Sequence, residues 1–181
     1  MLLIIPKEFV ALLTFPGIIV HEIAHRFMCD LFNIPVYKID YFSLEKNSVG
    51  KVIHQKTYKY KEAFLIAMAP LFINSFIAMI LMIPFFIHGQ VKDIIPASPD
   101  VLINLLFIII SWIGTTIGIH AIPSNQDVEN LTELAHTKTA KNCTNILIVI
   151  IAFFNIPFIG FWLRIFYVGL IIGLPTILLF Y

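Results

Sequence analysis

The residues of this 181-residue chain best equipped for chemistry are His21-Glu22-Ile23-Ala24-His25. On an α-helix each residue advances by roughly 100°, so positions four apart lie about 40° apart and share one face. His21 and His25 can therefore present two imidazoles to one metal ion. Glu22 occupies the neighbouring strip, within reach of a water beside that ion. Two histidine ligands with an adjacent carboxylate as general base form the H-E-x-x-H arrangement of zinc-dependent peptide hydrolysis. The motif sits inside an apolar run at about 9–32. Ionisable groups are costly in a bilayer, so three of them within five residues point to function rather than to packing.

Composition sets the environment in which those groups must work. Hydrophobic residues make up 59% of the chain and charged residues 13%, against about 25% charged in soluble chains. This predicts an all-α polytopic membrane protein. The net charge of +1 offers no footprint for nucleic acid. Cys29 and Cys143 are far apart and show no paired spacing, so they read as small packing residues. Met1 to Ile5 lacks a basic region and is interrupted by Lys7-Glu8, so the first apolar run is expected to remain in the mature chain.

Five apolar stretches are long enough to count as transmembrane segments. The first is the run at 9–32, with Pro16-Gly17 placed to bend it one turn before His21. A polar stretch at 33–61 follows. Within it, 36–56 reads as a small β-hairpin, rich in Tyr, Val and Ile around a turn at Glu45-Lys46-Asn47-Ser48. Such an edge could hold an extended substrate segment. The second span covers about 62–87, and its Pro70 and Asn74 need neighbours to satisfy them. The third covers about 101–122, with Gly114 and Gly118 at a helix-packing spacing. An amphipathic helix is expected from Ser124 onward, after Pro123. The region 143–181 is read as a C-terminal pair of spans broken near Asn155, Pro157, Gly160 and Arg164. Residues 1–142 would then form the membrane-embedded catalytic core.

Lysine placement gives an orientation. The 33–61 loop carries Lys38, Lys46, Lys51, Lys56, Lys59 and Lys61, and the 123–142 loop carries Lys138 and Lys141. The loop at 88–100 carries only Lys92. The positive-inside rule puts the two lysine-bearing loops in the cytoplasm, and the histidines in the cytoplasmic half of the first span. Catalytic zinc usually takes three protein ligands, so a third must come from the same side. Asp127 is the first candidate, His120 the next, and Glu129 or Glu133 follow. Ser124-x-x-Asp127 also has the pattern of a helix capping box.

These residues together resemble the site-2 protease family of intramembrane zinc metalloproteases (peptidase family M50). Three features carry the resemblance: His21-Glu22-x-x-His25 in a span, Ala69-Pro70-x-x-x-Asn74 after a hairpin, and Pro123-x-x-x-Asp127 at the end of a span. It extends over roughly residues 9 to 130, a three-helix catalytic core. Ala69 stands where that family has Gly, His120 where it has Asn, and Val128 follows Asp127 where Gly is usual. The resemblance implies one Zn²⁺ per chain, a transmembrane protein as substrate, and cleavage near the cytoplasmic side of the membrane. Glu22 would act as general base, with His120 or Asn74 as donors to the oxyanion. The competing reading is a membrane metal-binding protein or carrier without turnover.

Overall fold

The computed structural model describes residues 7–43, 49–90, 101–156 and 159–180. The chain runs through α1 (Lys7–Leu13), α2 (Phe15–Leu31), β1 (Val36–Asp40), β2 (Lys51–His54), α3 (Tyr60–Gln90), α4 (Val101–Ile119), α5 (Asn125–Leu134), α6 (Lys138–Phe154) and α7 (Ile159–Phe180). The two strands pair antiparallel, with Asp40 opposite Lys51 and an irregularity at Tyr37. The expected turn at Glu45-Lys46-Asn47-Ser48, and most of the 88–100 loop, lie outside the described residues.

Membrane-compatible helices are fewer than the five expected. Among the described residues, Tyr60–Pro84 and Val101–Ile119 are long and apolar enough to cross a bilayer. A third crossing results only if Thr139–Phe154 and Ile159–Ile171, bent by 103°, count as one broken span. The first apolar run is not a single helix. It breaks at Thr14, whose hydroxyl donates to the Val10 carbonyl at 2.9 Å. Pro16 then stands in the first turn of α2, where a missing N–H costs nothing. It starts a helix rather than bending one. The resulting α2 has 17 residues and carries Glu22, Arg26 and Asp30, and by itself is not among the helices long and apolar enough to cross.

The far end of α2 is closed by its own backbone. Asn33 takes a left-handed φ of 55°, which Asn tolerates better than most residues. The Asn33 N–H then donates to Asp30 O at 3.1 Å and the Ile34 N–H to Cys29 O at 2.8 Å. This is a Schellman closure, and its usual apolar contact is present as Cys29, Ile34 and Ile66 pack together. The stop turns the chain sharply into β1 and lays the hairpin back along α2.

α3 is the central post, packing against α2, α4, α5 and α7. The small residues Ala63 and Ala67 let it approach α5 and α6 through Val128, Leu131 and Ile151. Gly114 and Gly118 face Met82 of α3 and Val168 of α7, so their spacing serves helix packing. The outward faces of α3 and α4 expose Phe72, Phe76, Ile80, Leu105 and Ile108. Apolar surface of that extent suits contact with lipid or with another apolar surface.

Candidate metal centre

α2 and α5 bring three side chains of the predicted set together. His25 Nε2 lies 3.2 Å from His21 Nε2. Asp127 places Oδ1 3.3 Å from His25 Nε2 and Oδ2 3.5 Å from His21 Nε2. One ligand atom from each of the three lies within 4.8 Å of the others.

The second ring nitrogen of each histidine decides what this cluster can hold. His21 Nδ1 is 2.7 Å from the His120 carbonyl, and His25 Nδ1 is 2.9 Å from the Ile66 carbonyl. A carbonyl only accepts, so each Nδ1 must carry the proton and each neutral imidazole turns a bare Nε2 lone pair inward. Two lone pairs and a carboxylate therefore converge. Protons on both Nε2 atoms would pair each ring with its own Asp127 oxygen, and a single cation between the three groups would satisfy all of them at once. Ligand bonds of about 2.0–2.1 Å at tetrahedral angles put ligand atoms about 3.3 Å apart. The 3.2 Å between the two Nε2 atoms matches that spacing, and Asp127 approaches the rings at 3.3 and 3.5 Å through different oxygens, so one atom from each residue lies within 4.8 Å of the others. The donor set fits a small tetrahedral cation.

Prolines expose the carbonyls that orient the rings. In a regular helix the Ile66 carbonyl would accept from residue 70, but residue 70 is Pro and has no N–H. His25 takes the vacated acceptor. At the end of α4, Pro123 likewise has no N–H to offer Ile119. The Ser124 N–H, which a continuing helix would direct to His120, goes instead to Asp127 Oδ2 at 2.6 Å. The His120 carbonyl is left for His21 and for Asn74 Nδ2, the latter at 3.2 Å. Pro70→Ala is accordingly expected to return Ile66 to the helix ladder and free the His25 ring. Metal affinity should fall by about tenfold or more with no loss of thermal stability, measured by Co²⁺ titration alongside a melting curve.

Asp127 holds two positions at once. It completes a capping box with Ser124 at the start of α5, and it faces both imidazoles. The remaining candidates for third ligand lie elsewhere. Glu133 pairs with Lys56 at 3.2 Å, Glu129 is exposed, and the His120 ring turns away, its Nε2 2.9 Å from Thr14 Oγ1.

Glu22 is only 8% exposed and lies under the hairpin. A Cβ at Gly50 would fall 2.7 Å from Glu22 Oε1 and 2.9 Å from its Cγ, so only glycine lets the strand pass this close. His21, Glu22, His25 and Asp127 line a cavity of about 960 Å³ that extends under the hairpin towards α7. Asn74 is fully buried, is not part of that cavity wall, and leaves Oδ1 without a partner among the described residues. Asn74 and His120, expected as oxyanion donors, both contact the His21 support, while His120 also lines the cavity. Asn74 braces the carbonyl that orients His21, and His120 supplies that carbonyl.

Several contributors carried no signal that a motif search would find. Gly17 looked like part of a bend, yet it is where α2 touches α4. A Cβ there would lie 2.1 Å from the Thr116 carbonyl oxygen and 2.8 Å from His120 Cδ2. Gly50 and Arg164 were likewise unremarked for the site. Pro70 did carry a signal, since a proline in a span has to leave a carbonyl unmet. No protein-family model, curated protein or solved structure matches the chain.

Proposed function

We propose that the chain is an intramembrane zinc metalloprotease of the site-2 protease type, hydrolysing a peptide bond in or near the transmembrane segment of a protein substrate. The observation that carries this reading is the convergence of the His21 and His25 Nε2 atoms and the Asp127 carboxylate beside a buried Glu22. His21, His25 and Asp127 would hold one Zn²⁺ per chain. When bound, zinc supplies Lewis acidity, acidifying water towards a pKa of ~7 and polarising the scissile carbonyl.

The residues of the chain do the rest. The His120 and Ile66 carbonyls hold both rings in the tautomer that leaves Nε2 free for the ion. Glu22 takes a proton from the attacking water on its carboxylate and later delivers it to the departing amine nitrogen. The hairpin shields that carboxylate from bulk water. β1 and β2 offer backbone donors and acceptors to an unwound substrate segment. Transmembrane substrate and lipid bilayer are thus the partners of this reading. The finer topology belongs to the same proposal: α2 and the α6–α7 pair complete a multi-pass arrangement of about five segments, with the lysine-bearing loops and the active site on the cytoplasmic side.

The test is metal analysis coupled to cleavage. The purified chain is expected to carry close to one zinc, to cleave a reporter transmembrane segment in liposomes, and to lose cleavage with a chelator and regain it with zinc. Zinc bound without cleavage of a panel of such segments would favour the carrier reading. A protein that takes up no zinc would remove both.

A further inference from the structure

The C-terminal helix pair has no role in the metal centre as described so far, yet one of its side chains reaches the connector from which two site residues hang. Arg164 of α7 is half-buried against the end of α4. Its Nη1 donates to Ile119 O at 3.0 Å and approaches Ile122 O at 3.5 Å. Its Nη2 donates to Asn155 Oδ1 at 2.9 Å. Asn155 Nδ2 in turn donates to Asn125 Oδ1 at 3.2 Å. The polarity of this chain is fixed from one end. Arg has donors only, so Asn155 must turn its oxygen to Arg164 and its nitrogen to Asn125. Ile119 O is available because Pro123 has no N–H, and among the described residues no carboxylate pairs with Arg164.

We infer that Arg164 and Asn155 form a clamp that positions the metal ligands, an inference that rests on the metal-site reading above. Ile119 and Ile122 bracket His120, whose carbonyl orients His21. Asn125 is the first residue of α5, two before Asp127. The clamp thus grips the 119–125 connector on both sides of the site: one arm sets the carbonyl behind His21, and the other sets the helix start that carries Asp127. The planar fork of arginine spans two carbonyls and an amide together, which a lysine ammonium on its flexible stem does not match. α6 and α7 are in this view part of the centre, acting through its backbone. Arg164, Asn155 and Asn125 act here as positioning residues and are not among the three converging ligand groups.

The experiment uses the full-length chain in nanodiscs with Co²⁺ as the probe, reading affinity, the d–d absorption band and the melting temperature. Wild type is expected to bind one Co²⁺ with a tetrahedral band. Arg164→Met and Asn155→Ala should each weaken binding by about 10- to 100-fold and shift the band. Arg164→Lys should recover only part of the loss. Asn125→Ala removes an exposed side chain and should weaken binding in the wild-type background but add nothing to Asn155→Ala, because the two share one link. Tyr167→Phe cuts a different tie of α7, its 2.8 Å contact with Ser75 of α3, and should change neither affinity nor band. If Arg164→Met does not fold, the Asn125→Ala and Asn155→Ala pair decides. Unchanged affinity and band in folded clamp variants would overturn the clamp while leaving the metal centre standing, as would an equal loss in Tyr167→Phe. A wild-type chain that binds no Co²⁺ would bring down the metal centre and the clamp with it.

Discussion

Glu22→Gln is expected to lower cleavage of a reporter transmembrane segment by about 10²- to 10⁴-fold while zinc content stays at its wild-type level. The two readouts separate because Glu22 is not among the three converging donors, which come from His21, His25 and Asp127. An amide of the same shape preserves the fit beneath Gly50, where there is no room for a Cβ. It cannot, however, accept a proton from water and return it. Glu22→Ala is the poorer experiment, since it also vacates the contact that seats the hairpin. The measurement is turnover in liposomes with zinc quantified on the same sample. Undiminished turnover in Glu22→Gln would remove this residue from the proton path and with it the main reason for preferring hydrolysis over metal carriage.

Gly17→Ala is expected to damage stability and metal binding together. The new Cβ would stand 2.1 Å from the Thr116 carbonyl oxygen and 2.6 Å from its carbon. Both are helix backbone and cannot rotate away. α2 would have to withdraw from α4, and the 2.7 Å bond between His21 Nδ1 and the His120 carbonyl spans that same interface. Overpacking of this kind costs about 1–3 kcal/mol in well-packed interiors, and here it also costs His21 its orientation. A lower melting temperature together with more than tenfold weaker Co²⁺ binding is expected. Gly169→Ala is the internal comparison: nothing lies within 4 Å of its Cβ position, so it should be neutral or stabilise by up to about 1 kcal/mol. If the two variants melted and bound alike, the close approach at Gly17 would not matter.

How far the sequence could be read depended on whether the relevant physics was local. His21, Glu22 and His25 are visible because one helix sets their spacing. Ser124 and Asp127 are visible for the same reason, as a cap at a predictable offset. The hairpin strands and the amphipathic α5 follow from alternation and from Pro123. The number of membrane segments did not follow, because hydropathy over 9–32 does not register a backbone break at Thr14. That break depends on partners far away in sequence, such as the Trp112 indole donating to Leu13 O at 3.0 Å. The support that His120 and Asn74 give to His21 is not legible in the sequence on similar grounds. Both were weighed by their side chains, whereas the group of His120 that matters is its carbonyl. Arg164 is legible only as a helix break, since its backbone acceptors lie more than forty residues away.

The double engagement of Asp127 has a consequence for how tightly the centre grips its ion. A free carboxylate would offer a cation its full charge and would have to be immobilised on binding. This one already accepts the Ser124 N–H at 2.6 Å and faces the positive end of the α5 dipole. Both draw electron density from its oxygens, making it a weaker donor than its formal charge suggests. The same contacts hold it in place beforehand, so little side-chain entropy is left to lose on binding. A softened but preorganised third ligand favours rapid exchange at the position facing the cavity over maximal affinity. Under the proposed hydrolytic function, that is the compromise expected of a centre whose ion would admit and release one reactant after another.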